Sequence, residues 1–189
     1  MRRLPAVGLL ALIAAPLAVA DTAQKLEDVS YVGLTYSDWD FRSIRGEKSA
    51  RLDGATLILG THITDYVKVE GRFGMGLTED SPQDGLKVKT NYLASWYMGP
   101  TYAPTEYWTV YGLFGFSFVK GETQRDDPTA FPDIPEKFYS SSFSVSYILG
   151  TEIQIHKDVW GTFEFGRIHK DSQTKVRMMQ LNLGIKYRY

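Results

Sequence analysis

The sequence predicts an all-β protein, an eight-stranded antiparallel up-and-down barrel that crosses a membrane on its strands. Three observations carry this reading. Period-two alternation recurs in eight segments, the apolar side of each is broad and aromatic while the other is small or charged, and the connections are short on one side and mostly long on the other. Strict alternation marks a strand with two unlike faces. In a membrane barrel the wide apolar face meets lipid and the tighter polar face lines the lumen, which inverts the soluble pattern. Closure follows, because an open edge in hydrocarbon leaves backbone groups unpaired at a cost of several kcal/mol each.

The chain begins with Arg2 and Arg3, runs through an apolar stretch from Ala6 to Val19 broken by Pro16, and has small residues at Ala18 and Ala20 before Asp21. That pattern reads as a secretory signal peptide, residues 1–20, cleaved after Ala20. Residues 21–28 then form a short periplasmic segment and 29–189 the barrel. Cleavage removes Arg2 and Arg3, so 21 basic against 22 acidic residues become 19 against 22, a net charge of −3. No basic run appears, which argues against a nucleic-acid partner. With no cysteine, disulfides cannot hold the fold.

Strands are expected at 29–41, 51–61, 66–77, 87–102, 107–120, 141–155, 159–169 and 174–189. Each reaches the roughly 9–11 residues that a tilted crossing needs. In the third, Val67, Val69, Phe73 and Met75 alternate with Lys68, Glu70, Arg72, Gly74 and Gly76. The fifth sets Val110, Phe114, Phe116 and Phe118 against Thr109, Tyr111, Gly115 and Ser117. The sixth sets Phe143, Val145, Tyr147 and Leu149 against Ser142, Ser144, Ser146 and Gly150. The last is the clearest: Met179, Leu181, Leu183, Ile185, Tyr187 and Tyr189 are apolar or aromatic, and every residue between them is polar or glycine.

Short turns at His62–Asp65, Ala103–Glu106 and His156–Asp158 face the periplasm. The connections 42–50, 78–86 and 121–140, with the shorter 170–173, face outward. Aromatic belts are expected at both interfaces. Tyr66, Tyr102, Tyr107, Trp108, Tyr187 and Tyr189 supply the periplasmic one, and Trp39, Phe41, Phe118 and Phe143 the outer one.

The signal peptide, the alternating segments and the aromatic terminal strand together resemble the small outer-membrane β-barrel superfamily, which includes the membrane domain of outer membrane protein A and the opacity and attachment-invasion barrels. Tyr31-Val32-Gly33-Leu34, Val69-Glu70-Gly71-Arg72-Phe73 and the terminal Tyr187-Arg188-Tyr189 carry the resemblance. It implies a Gram-negative outer-membrane location, with contact to outer-membrane lipid and lipopolysaccharide. It also implies that the barrel assembly machinery reads the terminal strand, here Leu183, Ile185, Tyr187 and Tyr189. Such proteins more often end in Phe than in Tyr.

The candidate site is a set of lumen-facing charges: Lys68, Glu70, Arg72, Lys89, Glu152, Glu164, Lys186 and Arg188. An eight-stranded barrel is only wide enough for side chains to fill it, so these charges are expected to pair across a plugged lumen. The alternative is a narrow ion path in which Glu70 or Glu164 exchanges basic partners. His62 and His156 fall on different turns and read as turn residues, with no metal-site spacing. Continuing the parity of Phe163 and Phe165 places His169 on the lipid side near the outer rim, with Ser172 and Ser141 nearby. Some barrels are lipid A deacylases with a Ser–His–acid set at that place, but His169-Lys170-Asp171-Ser172 lacks their His-x-Ser pattern. No catalytic residue, metal or cofactor is therefore assigned. In the 121–140 loop, Pro128, Pro132 and Pro135 stiffen the backbone, and Phe131, Ile134 and Phe138 are candidates for contact with an extracellular ligand. The expected role is structural or surface-interacting, in adhesion or envelope integrity, with a lipid A-modifying enzyme or a narrow channel as the alternative.

Overall fold

The computed structural model describes residues 25–44, 48–83, 85–125, 143–170 and 176–189. Its strands are β1 (Ser30–Ile44), β2 (Lys48–Thr64), β3 (Val67–Gly76), β4 (Glu79–Gln83), β5 (Leu86–Thr105), β6 (Trp108–Arg125), β7 (Phe143–His156), β8 (Val159–Lys170) and β9 (Arg177–Arg188). All pairings are antiparallel; β1 closes on β9, and β3 closes on β5. The short β4 continues beyond β3 and pairs with β5 through Glu79 and Lys89, so β3 and β4 share one stave and the ring has eight. Several strands run past their expected outer ends, β6 as far as Arg125 and β2 from Lys48. In β6 the extra residues, Gly121–Arg125, are polar or glycine throughout, and that erases the alternation by which sequence alone finds them.

At one end, two-residue connections at Asp65–Tyr66, Glu106–Tyr107 and Lys157–Asp158 join neighbouring strands. The N-terminal segment folds across the same end. Asp65 Oδ1 accepts backbone N–H bonds from Leu26 (2.6 Å) and Glu27 (2.9 Å), and the Asp28 N–H donates to the His62 carbonyl (3.0 Å). Asp28 sits at φ 65°, the left-handed region that Asp tolerates, which swings Leu26 into a fully buried position. The donated N–H groups of Glu27 and then Leu26 hold the Asp65 carboxyl below its usual 3.8.

The two faces of the wall separate sharply. On β9, Leu183 is 65% exposed and neighbouring Asn182 is 0% exposed. The expected periplasmic aromatics, Tyr66, Tyr102, Tyr107, Trp108, Tyr187 and Tyr189, all point outward. On the inner face small residues make room for large ones. A Cβ at Gly60 would overlap the Tyr31 ring, and one at Gly150 the Tyr111 ring.

Four expectations fail. His62, read as a turn residue, pairs with Lys68 within the β2–β3 ladder and is buried. Trp39 and Phe41 do not stand in the outer belt; the odd residues of β1 point inward without a break, and both rings are buried in the lumen. Lys89 is not a lumen residue. A bulge between Thr90 and Tyr92 switches the parity of β5, so Val88 and Thr90 face in while Lys89 faces out and pairs with Glu79 at 3.3 Å. A second bulge, between Arg167 and His169, turns His169 into the interior, where it is fully buried. Phe131, Ile134, Phe138, Ser141 and Ser172 lie outside the described residues.

A buried ion network as the candidate functional site

Seven of the eight expected charges meet inside the barrel. Lys68, Glu70 and Arg72 project inward from alternate positions of β3, Glu152 comes from β7, Glu164 from β8, and Lys186 and Arg188 from β9. Each is 5% exposed or less. The strand order puts β8 four staves from β3, as far as an eight-stave ring allows. Contacts between those strands therefore tie opposite walls together.

Arg72 makes such a contact with its planar fork: Nη1 donates to Glu164 Oε2 at 2.6 Å and Nη2 to Glu164 Oε1 at 2.8 Å, while the same guanidinium also bonds Glu70. Two parallel bonds fix orientation as well as charge, which a lysine could not do. Lys186 is the hub, with Nζ 2.9 Å from Glu70, 2.9 Å from Glu152 and 3.5 Å from Glu164. Lys68 reaches Glu152 at 2.8 Å and Glu70 at 3.3 Å, and Arg188 reaches Glu152 at 2.6 Å. Every carboxylate in the set thus faces at least two cations.

The count is uneven, four cations (Lys68, Arg72, Lys186, Arg188) to three carboxylates (Glu70, Glu152, Glu164). Aromatic faces take up part of the difference. Lys68 Nζ lies 3.3 Å from the Tyr111 ring centroid, and the Arg188 guanidinium 3.5 Å from that of Trp160. Tyr31 donates its hydroxyl proton to Glu70 (2.8 Å), Tyr111 donates to Glu164 (2.5 Å), and Asn182 Nδ2 donates to Glu164 (2.9 Å). Tyr111 stands with the polar parity of its strand, so its lumenal place is readable from sequence. Tyr31, Trp160 and Asn182 as network members are not, because no period distinguishes a polar partner from an inert wall residue.

Towards the loop end the interior changes character. Trp39, Phe41, Leu52, Val88, Leu93 and Met178 belong to one buried apolar cluster. Ion network and apolar cluster share the inner wall but no residue. Chemically, the network can hold strands in register, but it presents no nucleophile or general base to a substrate in the membrane. His169 points inward, away from any lipid ester, so the candidate deacylase set loses its base.

A closed, all-antiparallel barrel with an apolar exterior, aromatic rings at its turn end and ion pairs sealed inside defines a transmembrane β-barrel of the bacterial outer membrane. The chain belongs to the outer membrane protein beta-barrel domain family, whose profile matches residues 7–189. Among solved structures it is similar to Ail, the attachment invasion locus protein of Yersinia pestis, with a TM-score of 0.60 at 18% identity over 86% of this chain and 99% of that one. The complex of Ail with the heparin analogue sucrose octasulfate matches with a TM-score of 0.57, again at 18% identity and with the same coverage. Neisserial surface protein A matches with a TM-score of 0.59 at 15% identity over 86% of this chain and 100% of that one. At these identities the likeness is one of fold. No curated protein matches the sequence.

Proposed function

We propose that this protein is a non-enzymatic outer-membrane scaffold whose lumen is plugged and whose outer loops meet the cell's surroundings in adhesion or envelope integrity. The observation that carries the reading is the self-sufficiency of the ion network: each of Glu70, Glu152 and Glu164 is committed to buried cations on other strands. An ion path would need one of them to release its partners into a dry interior, which is costly for a buried pair. The apolar cluster beyond the network adds a second barrier to water.

Residues 1–20 serve in this reading as the cleaved export signal and 21–28 as the periplasmic lead-in. The outward row Leu183, Ile185, Tyr187 and Tyr189 is what the assembly machinery reads. Contact with an extracellular ligand falls to the 121–140 loop, with Phe131, Ile134 and Phe138 as its apolar anchors. The neighbour that binds a sulfated sugar analogue lends support to an anionic extracellular ligand.

The test pairs two measurements. In planar bilayers the protein should show no steady conductance. On cells, replacing Phe131, Ile134 and Phe138 together with Ser should weaken attachment to heparin-coated surfaces while the barrel still shifts on gels when boiled. A steady conductance refutes the plugged lumen, and undiminished attachment refutes the loop assignment.

A further inference from the structure

On the outward face of the barrel, among the described residues, the wall is left unfilled beside Gly71. Register alignment sets two rows side by side across β2, β3, β5 and β6: Leu59, Gly71, Trp96 and Phe116 in one, Leu57, Phe73, Ala94 and Phe118 in the next. Each row has one small residue, and the two lie diagonally, Gly71 on β3 and Ala94 on β5. A Cβ at Gly71 would meet nothing within 4 Å. The result is an almost wholly apolar groove of about 830 Å³ between walls of Leu59 and Trp96.

The outer end of this groove is closed by four rings in sequence. Phe73 stacks on Tyr92 (centroids 6.3 Å apart), Tyr92 meets Phe118 (6.1 Å), and Phe118 meets Phe143 (6.1 Å). On this shelf lies Lys120, its Nζ 5.7 Å from the Tyr92 centroid. It follows Phe118 at the next outward position of β6, so it stands where the apolar stripe ends. The neighbouring acids are engaged elsewhere: Glu122 accepts from Asn91 Nδ2 at 2.8 Å, and Glu79 pairs with Lys89. Among the described residues Lys120 has an aromatic face but no carboxylate.

We propose that this groove is a binding site for one acyl chain of an outer-leaflet phosphorylated glycolipid of the lipid A type, with Lys120 on its phosphate. The opening faces the bilayer, so its occupant dissolves in hydrocarbon; a slot one side chain wide takes a flexible chain rather than a ring or helix. The cation and shelf lie toward the loop end of the strands, which fixes the leaflet. A smaller groove of about 270 Å³ lies toward the tight turns, between Ile153, Ile155, Phe163 and Leu183, and no cation lines it. Van der Waals packing can seat a chain at either place, with no hydrophobic gain over the surrounding lipid, and what singles out the larger is Lys120, just beyond its lining residue Phe118.

Native mass spectrometry of the full-length barrel in detergent, titrated with diphosphoryl lipid A, dephosphorylated lipid A and phosphatidylethanolamine, tests this. The wild type should retain one diphosphoryl lipid A in preference to the other two. Gly71→Phe fills open space and should abolish that retention with the heat-dependent gel shift intact. Ala94→Leu fills the second floor position and repeats the test should Gly71→Phe fail to assemble. Lys120→Gln should weaken retention of diphosphoryl lipid A about fivefold and leave the dephosphorylated form unchanged. Equal retention of all three lipids, or unchanged retention by the floor-filling variants, overturns the proposal.

Discussion

The lumen is built in two halves that solve one packing problem by opposite chemistry. Toward the turns, Lys68, Glu70, Arg72, Glu152, Glu164, Lys186 and Arg188 neutralise one another across the barrel; toward the loops, Trp39, Phe41, Leu52, Val88, Leu93 and Met178 fill the space with hydrocarbon and ring. The polar half is directional: each bond needs its partner at one distance and angle, so opposite strands are locked in register. The apolar half is forgiving, since any shape of the right volume excludes water. The first half thus specifies the barrel, and in the proposed reading the second closes it to water.

The contrast breaks first at Glu152. Glu152→Gln removes the carboxylate shared by Lys68, Lys186 and Arg188, and stability should fall by ~3–5 kcal/mol because the cations stay buried without their partner. Urea unfolding in lipid vesicles reads the loss, and a change under ~1 kcal/mol would mean that the network is wet. Next in size is the lipid face. Leu183→Arg should cost ~2–4 kcal/mol near mid-strand in the same assay. A bimane probe attached through Leu183→Cys should be quenched by bromolipid while one attached through Asn182→Cys is not, and equal quenching would overturn the register.

Smaller still is a volume-conserving change in the sealing half. Met178→Leu should cost less than ~1.5 kcal/mol and leave the bilayer non-conducting, whereas a loss as large as that of Glu152→Gln would erase the distinction between the halves. The smallest effect is local. Asp65 has its carboxyl held below 3.8, so what it contributes is present above that pH and is lost as pH falls through its lower folded-state value. Protection of the Leu26 and Glu27 amides against hydrogen exchange, relative to their intrinsic rates at each pH, should fall there, as it should in Asp65→Asn at neutral pH, with global unfolding nearly unmoved. Amides that stay equally protected in both cases would detach Asp65 from the N-terminal segment.

The same contrast explains what sequence can reveal. Seven of the eight charges expected in the lumen are legible because they fall on unbroken period-two stretches of β3, β7, β8 and β9. Lys89 and His169 are misplaced by parity because each lies at a bulge, and one inserted residue reverses inside and outside for everything beyond it. Trp39 and Phe41 mislead for another reason. Aromatic residues near a strand's outer end suit an interfacial belt and a lumen plug equally well, and only the uninterrupted parity of β1 separates the two. The pairings that cross the lumen, such as Arg72 with Glu164 and Lys68 with Glu152, are not legible, since they join strands that meet only once the ring has closed.

Ser30 and Tyr189 exchange both of their backbone hydrogen bonds, Ser30 N–H to the Tyr189 carbonyl at 3.2 Å and Tyr189 N–H to the Ser30 carbonyl at 2.8 Å. That seam joins the two ends of the described barrel, so it is the pairing with the longest intervening chain and the slowest to find by diffusion. Every other β-pairing is a hairpin or a near neighbour, able to zip locally. Folding therefore has an intrinsic order in time: a curled, open sheet forms first, and shutting the seam is the last step, after which no edge is left for another chain to add to.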